Sequence, residues 1–142
     1  MTVTLRPARL ADAKAVAVLM TELGYPSADA DVQDRLQHAL ASATSRCLVA
    51  QDGGEVVGLM CAELVPYFPT GATICRVTAL VVSSLHRRSG IGEKLIAAAD
   101  EFAHAQRCSG LEVTSAARRV EAHRFYERLG FSRTAFRFFR AL

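Results

Sequence analysis

No run in this 142-residue sequence approaches the ~20 consecutive apolar residues that a membrane-spanning helix needs, so no membrane partner is expected. The N-terminus has no basic region followed by an apolar stretch, so no secretory leader is expected and cytoplasmic residence is the default. The four cysteines, Cys47, Cys61, Cys75 and Cys108, form no Cys-x-x-Cys pair, and no histidine stands at metal-finger spacing from them. That pattern argues against a structural zinc and against a disulfide framework, and no metal ligands are expected. Free cysteines in apolar, strand-like settings behave as small hydrophobes, with Cys61 or Cys75 the ones to line a pocket. There is no low-complexity linker and no internal repeat. The length therefore suits a single domain over 1–142, large enough for a real core. A hydrophobic fraction of 51% and a charged fraction of 22% are ordinary for a globular chain.

Charge is unevenly spread. Residues 1–75 carry five Lys/Arg against eight Asp/Glu, whereas residues 76–142 carry twelve against six. A polyanionic ligand would be drawn to the second half. Its central feature is Arg87-Arg88-Ser89-Gly90-Ile91-Gly92, which follows the apolar run Ala79-Leu80-Val81-Val82. Beyond it, Ile91, Leu95, Ala98, Ala99, Phe102 and Ala103 recur at helical spacing, with Glu93, Lys94, Glu101 and His104 off that face. A strand that turns through glycine into a helix presents unpaired amides and the positive end of the helix dipole to an anion. Two arginines add charge-assisted hydrogen bonds. The third glycine of a dinucleotide fingerprint is missing, and so is the Gly-Lys-Ser/Thr of a P-loop.

The remaining elements follow with short connections. Thr2 to Ala8 reads as a strand, 10–23 as a helix broken by Gly24-Tyr25-Pro26, and Asp31 to Ala43 as a weaker helix. Cys47 to Ala50 and Val56 to Val65 read as a hairpin around Asp52-Gly53-Gly54. Pro66 to Gly71 is a loop and Ala72 to Ser83 a long strand. After the glycine-bearing helix come a strand at Leu111 to Ser115 and a helix in which Ala122, Phe125, Tyr126 and Leu129 share a face, with Gly130 as cap. A final strand pair is expected near Ser132 to Ala141.

Two motifs carry a family resemblance. Arg87-x-x-Gly90-x-Gly92 resembles the Arg/Gln-x-x-Gly-x-Gly/Ala signature of the GCN5-related N-acetyltransferase (GNAT) superfamily. Ala122-His123-Arg124-Phe125-Tyr126-Glu127-Arg128-Leu129-Gly130-Phe131 resembles its Ala-x-x-Phe-Tyr-x-x-x-Gly-Phe segment. The resemblance implies an α/β (α+β) GNAT fold in β-α-α-β-β-β-α-β-α-β order. Its mixed sheet would have six to seven strands, with about four helices packed on both faces. It implies acetyl-CoA as cosubstrate, with the diphosphate held by Arg87, Arg88, Ser89, Gly90, Ile91 and Gly92. The pantetheine arm would lie along Leu80, Val81 and Val82, chiefly on the backbone of Leu80 and Val82. Ser115 stands where family members often place an asparagine that contacts CoA. Tyr126 would face the sulfur.

Direct transfer follows from that placement. A neutral primary amine attacks the thioester carbonyl, the Val82 amide serves as donor to the oxyanion, and Tyr126 protonates the departing thiolate. A phenol of pKa ~10 and a thiolate of similar basicity make that proton transfer nearly level. Many relatives carry a glutamate on the strand before the phosphate turn, but here the strand reads Arg76-Val77-Thr78-Ala79-Leu80. Glu63 on the neighbouring strand is the leading substitute as base. Glu112 is a poorer one, and His86 flanks the phosphate site on the surface. The base is otherwise a water chain.

Similarity to aminoalkylphosphonate N-acetyltransferases rests on Phe136-Arg137-Phe138-Phe139-Arg140 together with the tyrosine motif. Arg76 or Arg137 would suit a small amine bearing a phosphonate or carboxylate. The alternatives are a protein N-terminus or lysine as acceptor, or a noncatalytic acyl-CoA sensor. A basic RNA-binding module finds only a faint match, and no nucleic-acid partner is expected. A homodimer through the last strands is the expected assembly.

Overall fold

Five strands and four α-helices form in the computed structural model, which describes residues 2–142. Strand β1 (Val3–Pro7) passes through a 3-10 turn at Leu10–Asp12 into helix α1 (Ala13–Leu23), followed by α2 (Asp29–Ala41). Strands β2 (Ser45–Asp52), β3 (Glu55–Tyr67) and β4 (Ala72–Val82) come next, then a 3-10 turn at Ser84–His86 and α3 (Ile91–Ala105). Strand β5 (Gly110–Val113) and α4 (Val120–Arg128) complete the order.

The sheet runs β1-β2-β3-β4-β5, antiparallel up to β4 and parallel between β4 and β5. The parallel pair needs a crossover, and α3 supplies it. Period-two alternation sorts the side chains between two cores. Cys47, Val49, Leu59 and Val81 join Val16, Leu19, Val32 and Leu36 of α1 and α2 on one face. Leu48, Ala50, Met60 and Val77 join Ile91, Leu95 and Ala99 of α3 on the other. Leu95 is fully buried, and such a side chain contributes roughly 1.5–3 kcal/mol by leaving water.

An ion pair fastens the first strand to the 3-10 turn that leads into α1. Arg6 Nη1 and Nη2 each donate to the Asp12 carboxylate at 2.8 Å, and the Arg9 amide donates to it at 2.8 Å. The Arg6 hydrogen bond outweighs burial and holds the Asp12 carboxyl below its ordinary range.

Three expectations change. The sheet has five strands rather than six to seven, because residues 132–142 form no strand. Among the described residues, no backbone hydrogen bond reaches that segment. Its alternating Phe/Arg pattern has strand propensity, but a strand exists only where a neighbour completes the ladder. Strand β5 is also shorter than Leu111–Ser115, ending at Val113. Helix α2 begins at Asp29, where Asp29 and Asp31 complement the helix dipole in the first turn.

Candidate active site

The turn from β4 into α3 is built as an anion cradle. Arg88 has φ +64° and Gly90 φ +82°, so the chain passes twice through the left-handed region before α3 starts. Lys94 N–H donates to the Gly90 carbonyl at 3.1 Å as the first bond of the helix. The amides of Ile91, Gly92 and Glu93 therefore have no intrahelical acceptor. Arg88, Ser89 and Gly90 are exposed, whereas Ile91 is 2% exposed and anchors the helix start. The Ser89 hydroxyl donates to the His86 carbonyl, and Arg87 Nε donates to the Val82 carbonyl at 3.4 Å. Glu22 of α1 accepts from the Ser84 hydroxyl at 2.6 Å and the Ser84 amide at 3.2 Å, tying the loop to the α1 face. The Ser84 hydroxyl holds the Glu22 carboxyl below its ordinary range.

Gly92 has a second duty. A Cβ there would lie 3.0 Å from Phe125 Cζ and 3.2 Å from Cε1, so the glycine lets the α4 aromatic close over the first turn of α3. Phe125 in turn meets Tyr126 edge to face at 5.3 Å, and Tyr126 meets Phe131 at 5.6 Å. Tyr126 is 8% exposed. Burial pushes its phenol up from the ordinary value, against a smaller downward pull from Arg119.

Between cradle and tyrosine the sheet opens. Strand β4 pairs with β5 only from Ile74↔Gly110 to Val77↔Val113. Against β3, Cys61 faces Ala79 while Ala62 faces Val77, so Thr78 is an extra residue in β4. Such a bulge bends its strand, and beyond it β4 has only β3 as neighbour. Ser83 N–H donates to the Val57 carbonyl at 2.8 Å. By the alternation of an antiparallel ladder, Ala79 and Val81 then face β3, and the backbone groups of Leu80 and Val82 face the opening. Val81 is placed differently from its two neighbours: its side chain is buried in the α1/α2 core. Ser115 lies two residues beyond β5, and its Oγ is buried with no hydrogen-bond partner among the described residues.

Two clefts flank this opening. One of about 1030 Å³ is lined by Tyr126 and Ser115 and also by Arg76, Glu112, Phe131 and Arg137. Arg76 Nε donates to the Glu112 carboxylate, and the Arg137 guanidinium stacks over the Phe139 ring at 5.0 Å. The other, about 240 Å³, lies between α1, α2 and strands β2 to β4, with Val16, Met20, Leu36, Leu59 and Ala79 among its apolar walls. Arg35, Cys47, Cys61, Glu63 and Thr78 line it as well. Glu63 points into this second cleft. Thr44 Oγ1 donates to Glu63 Oε1 at 2.5 Å, and the Ser45 hydroxyl donates to Oε2.

Strand register sets Ser45, Glu63, Arg76 and Glu112 in one transverse row. Thr44, Ser45 and the partnering role of Glu112 escaped sequence reasoning. Alternation alone gives each strand's face but not which residues stand opposite. His86 also sits differently from a surface flank. Its side chain is 17% exposed, Nε2 lies 3.7 Å from Asp52 Oδ2, and Nδ1 is buried without a partner. Cys75 is buried, and the cysteines that line a cleft are Cys47 and Cys61.

Comparison with known proteins agrees with this architecture. The model of the acetyltransferase (GNAT) family matches residues 14–131. The chain belongs to the GNAT family. Among GNAT relatives, the aminoalkylphosphonate N-acetyltransferase of Salmonella typhimurium is 31% identical over 139 residues, covering 97% of this chain and 90% of that one. A transcriptional regulator from Bacillus halodurans superposes with a TM-score of 0.89 at 23% identity, over 99% of this chain and 100% of that one. The aminoglycoside N-acetyltransferase AAC(6')-Iy, solved with CoA, superposes at 0.88 with 16% identity, over 99% and 95%. At these identities the two structural likenesses show the GNAT fold.

Acetyl-CoA is the cosubstrate of this family, and the residues present fit it. The exposed cradle offers unpaired amides and two guanidinium groups, the donor set a diphosphate takes. The opening offers the backbone groups of Leu80 and the amide of Val82 to an extended arm, the Val82 carbonyl being held by Arg87, and Ser115 offers a buried hydroxyl without a partner among the described residues. Among the described residues, no helix is long and apolar enough to cross a membrane.

Proposed function

We propose that residues 1–142 act as one N-acetyltransferase domain that moves the acetyl group of acetyl-CoA directly to a primary amine of a small molecule bearing a phosphonate or carboxylate. The observation that carries this reading is the opening of β4 from β5 at Thr78, beyond which the backbone of Leu80 and the amide of Val82 have no strand partner on the β5 side among the described residues. Arg87, Arg88, Ser89, Gly90, Ile91 and Gly92 hold the diphosphate. Leu80 and Val82 pair with the pantetheine arm, Val81 fixes the strand from the core side, and Ser115 supplies a hydrogen bond. The Val82 amide faces the reacting carbonyl, where a donor stabilises developing negative charge. Tyr126 gives its proton to the leaving sulfur. Glu63, held by Thr44 and Ser45, receives the ammonium proton directly or through water.

The anionic group on the acceptor is supported by Arg76 and Arg137, which line the same cleft as Tyr126 and Ser115. The Salmonella relative, which takes aminoalkylphosphonates, supports the same class. The test is CoA release with aminoalkylphosphonates and amino acids, compared with the same amines lacking the acidic group. Arg76→Ala is expected to raise KM for the acidic amines severalfold and leave KM for acetyl-CoA in place. Equal KM for both amine sets would remove the anion requirement.

We also infer that the chain works as a homodimer through residues 132–142. Phe136, Phe138 and Phe139 are 86%, 94% and 76% exposed, and the outer edge of β5 has no strand beside it among the described residues. Sedimentation equilibrium of the full chain should give a dimer that Phe138→Ser weakens. A monomer at all concentrations would refute the assembly.

A further inference from the structure

Cys47 on β2 and Cys61 on β3 stand directly opposite one another, with their Sγ atoms 3.1 Å apart. The pair is of the non-hydrogen-bonded kind. The Cys47 carbonyl accepts from Ala8 N–H on the β1 side at 3.0 Å, and Leu64 N–H donates to the Thr44 carbonyl at 2.9 Å, an odd three residues away. Such partners have Cα atoms about 4.5 Å apart, inside the ~4.4–6.8 Å span that a disulfide bridges without moving the backbone. Both cysteines line the 240 Å³ cleft beside Glu63, which gives a small oxidant a route to them. Cys75 is 0% exposed, and it and Cys108 belong to the α3 side of the sheet.

The acidities single out Cys47 as the attacking thiol, for the hydrogen bond with Cys47 and burial push the Cys61 thiol well above its ordinary range. Its hydrogen bond with Cys61 brings the Cys47 thiol below its ordinary range despite burial and the charge of Glu63. Burial pushes Cys75 up to about 11 and raises Cys108 as well. The thiolate is the form that reacts.

We propose that Cys47 and Cys61 are a modification site, at which a peroxide joins the two facing thiols into a cross-strand disulfide in the cleft wall. The Cys47 thiolate attacks one peroxide oxygen, the O–O bond breaks, hydroxide leaves, and Cys47 becomes a sulfenic acid. The Cys61 sulfur then attacks the Cys47 sulfur, the S–S bond forms, and the sulfenic oxygen departs as water once protonated by the Cys61 thiol proton. Two thiols lose two electrons in total, and the peroxide is reduced to two waters. With its resolving partner already in contact, Cys47 closes the bond before further oxidation.

Bond formation draws the sulfurs from 3.1 Å to about 2.05 Å and removes both thiol protons from the wall. Ser45 and Glu63 are the next pair along the same face of the same two strands. If Glu63, which lines this cleft, is the base proposed above, on which this consequence rests, oxidation lowers acetyl transfer and a thiol reductant restores it.

The test treats the full chain with hydrogen peroxide and maps its peptides without reduction by mass spectrometry. The expected result is a Cys47–Cys61 linked peptide that appears before Cys75 or Cys108 is modified. In Cys61→Ser, Cys47 should persist as a sulfenic acid that dimedone traps, and circular dichroism checks that this variant is folded. Linkage through Cys75 or Cys108, or direct passage of Cys47 to sulfinic acid in the wild type, would overturn the proposal. Turnover of the same samples separates the two claims. A severalfold loss with the link and recovery with dithiothreitol supports both. A linked protein with unchanged turnover leaves the modification site standing and contradicts the assignment of Glu63 as base.

Discussion

Tyr126 sits in an aromatic sleeve between Phe125 and Phe131, which fixes the ring while leaving it beside the large cleft. Phenylalanine would keep that packing and lose only the hydroxyl. Tyr126→Phe should therefore lower kcat by about 10²-fold, the scale of one positioned acid, with KM for acetyl-CoA within a few-fold. Because burial raises the phenol's pKa, the acid form persists through neutral pH, and kcat should fall only above the ordinary tyrosine range. A kcat–pH profile of wild type against the variant checks both points. Asp12 has the opposite shift, lowered chiefly by Arg6. Its stabilising contribution is present above the ordinary carboxylate pKa of ~4 and disappears as pH falls through the lowered folded value. Asp12→Asn should cost about 2 kcal/mol at neutral pH by urea unfolding, with a flatter loss in acid. At this scale the motif around Tyr126 was legible because it is local. The hydroxyls of Thr44 and Ser45 on Glu63 were not, because they depend on which strand residues meet.

The first turn of α3 and the ring of Phe125 share one space at Gly92. Gly92 read from sequence is a residue that admits phosphate, and the structure adds close packing of α4. Gly92→Val should displace Phe125, cost about 1–3 kcal/mol in thermal or urea unfolding, and weaken CoA binding in calorimetry. Unchanged stability with lost binding would assign the glycine to the ligand alone. Helices and the central hairpin were readable because apolar periodicity and glycine turns are local signals. The bulge at Thr78 was not, since Arg76-Val77-Thr78-Ala79 looks like any strand until its partner's register is known. The expected strands after Ser132 failed for the converse reason: their propensity was visible and their missing neighbour was not.

Across the whole molecule the basic half carries the cradle, and the acidic half supplies α1, α2 and Glu63. A polyanionic cosubstrate should feel that excess. KM for acetyl-CoA should rise severalfold between low salt and roughly 1 M salt, where the screening length falls to ~3 Å. A salt-independent KM would place the excess arginines elsewhere in function. Fold and cosubstrate were legible at this scale because element order and two motifs agree. The acceptor was not, because its clefts are assembled from strands far apart in sequence. The most direct measurement is thiol release from acetyl-CoA across aminoalkylphosphonates, amino acids, polyamines, aminoglycosides and short peptides, with Tyr126→Phe alongside. Turnover on the small acidic amines, lost in the variant, is the predicted result. Tight acetyl-CoA binding with no thiol release on any amine, or a Tyr126→Phe enzyme as fast as the wild type, would contradict the account.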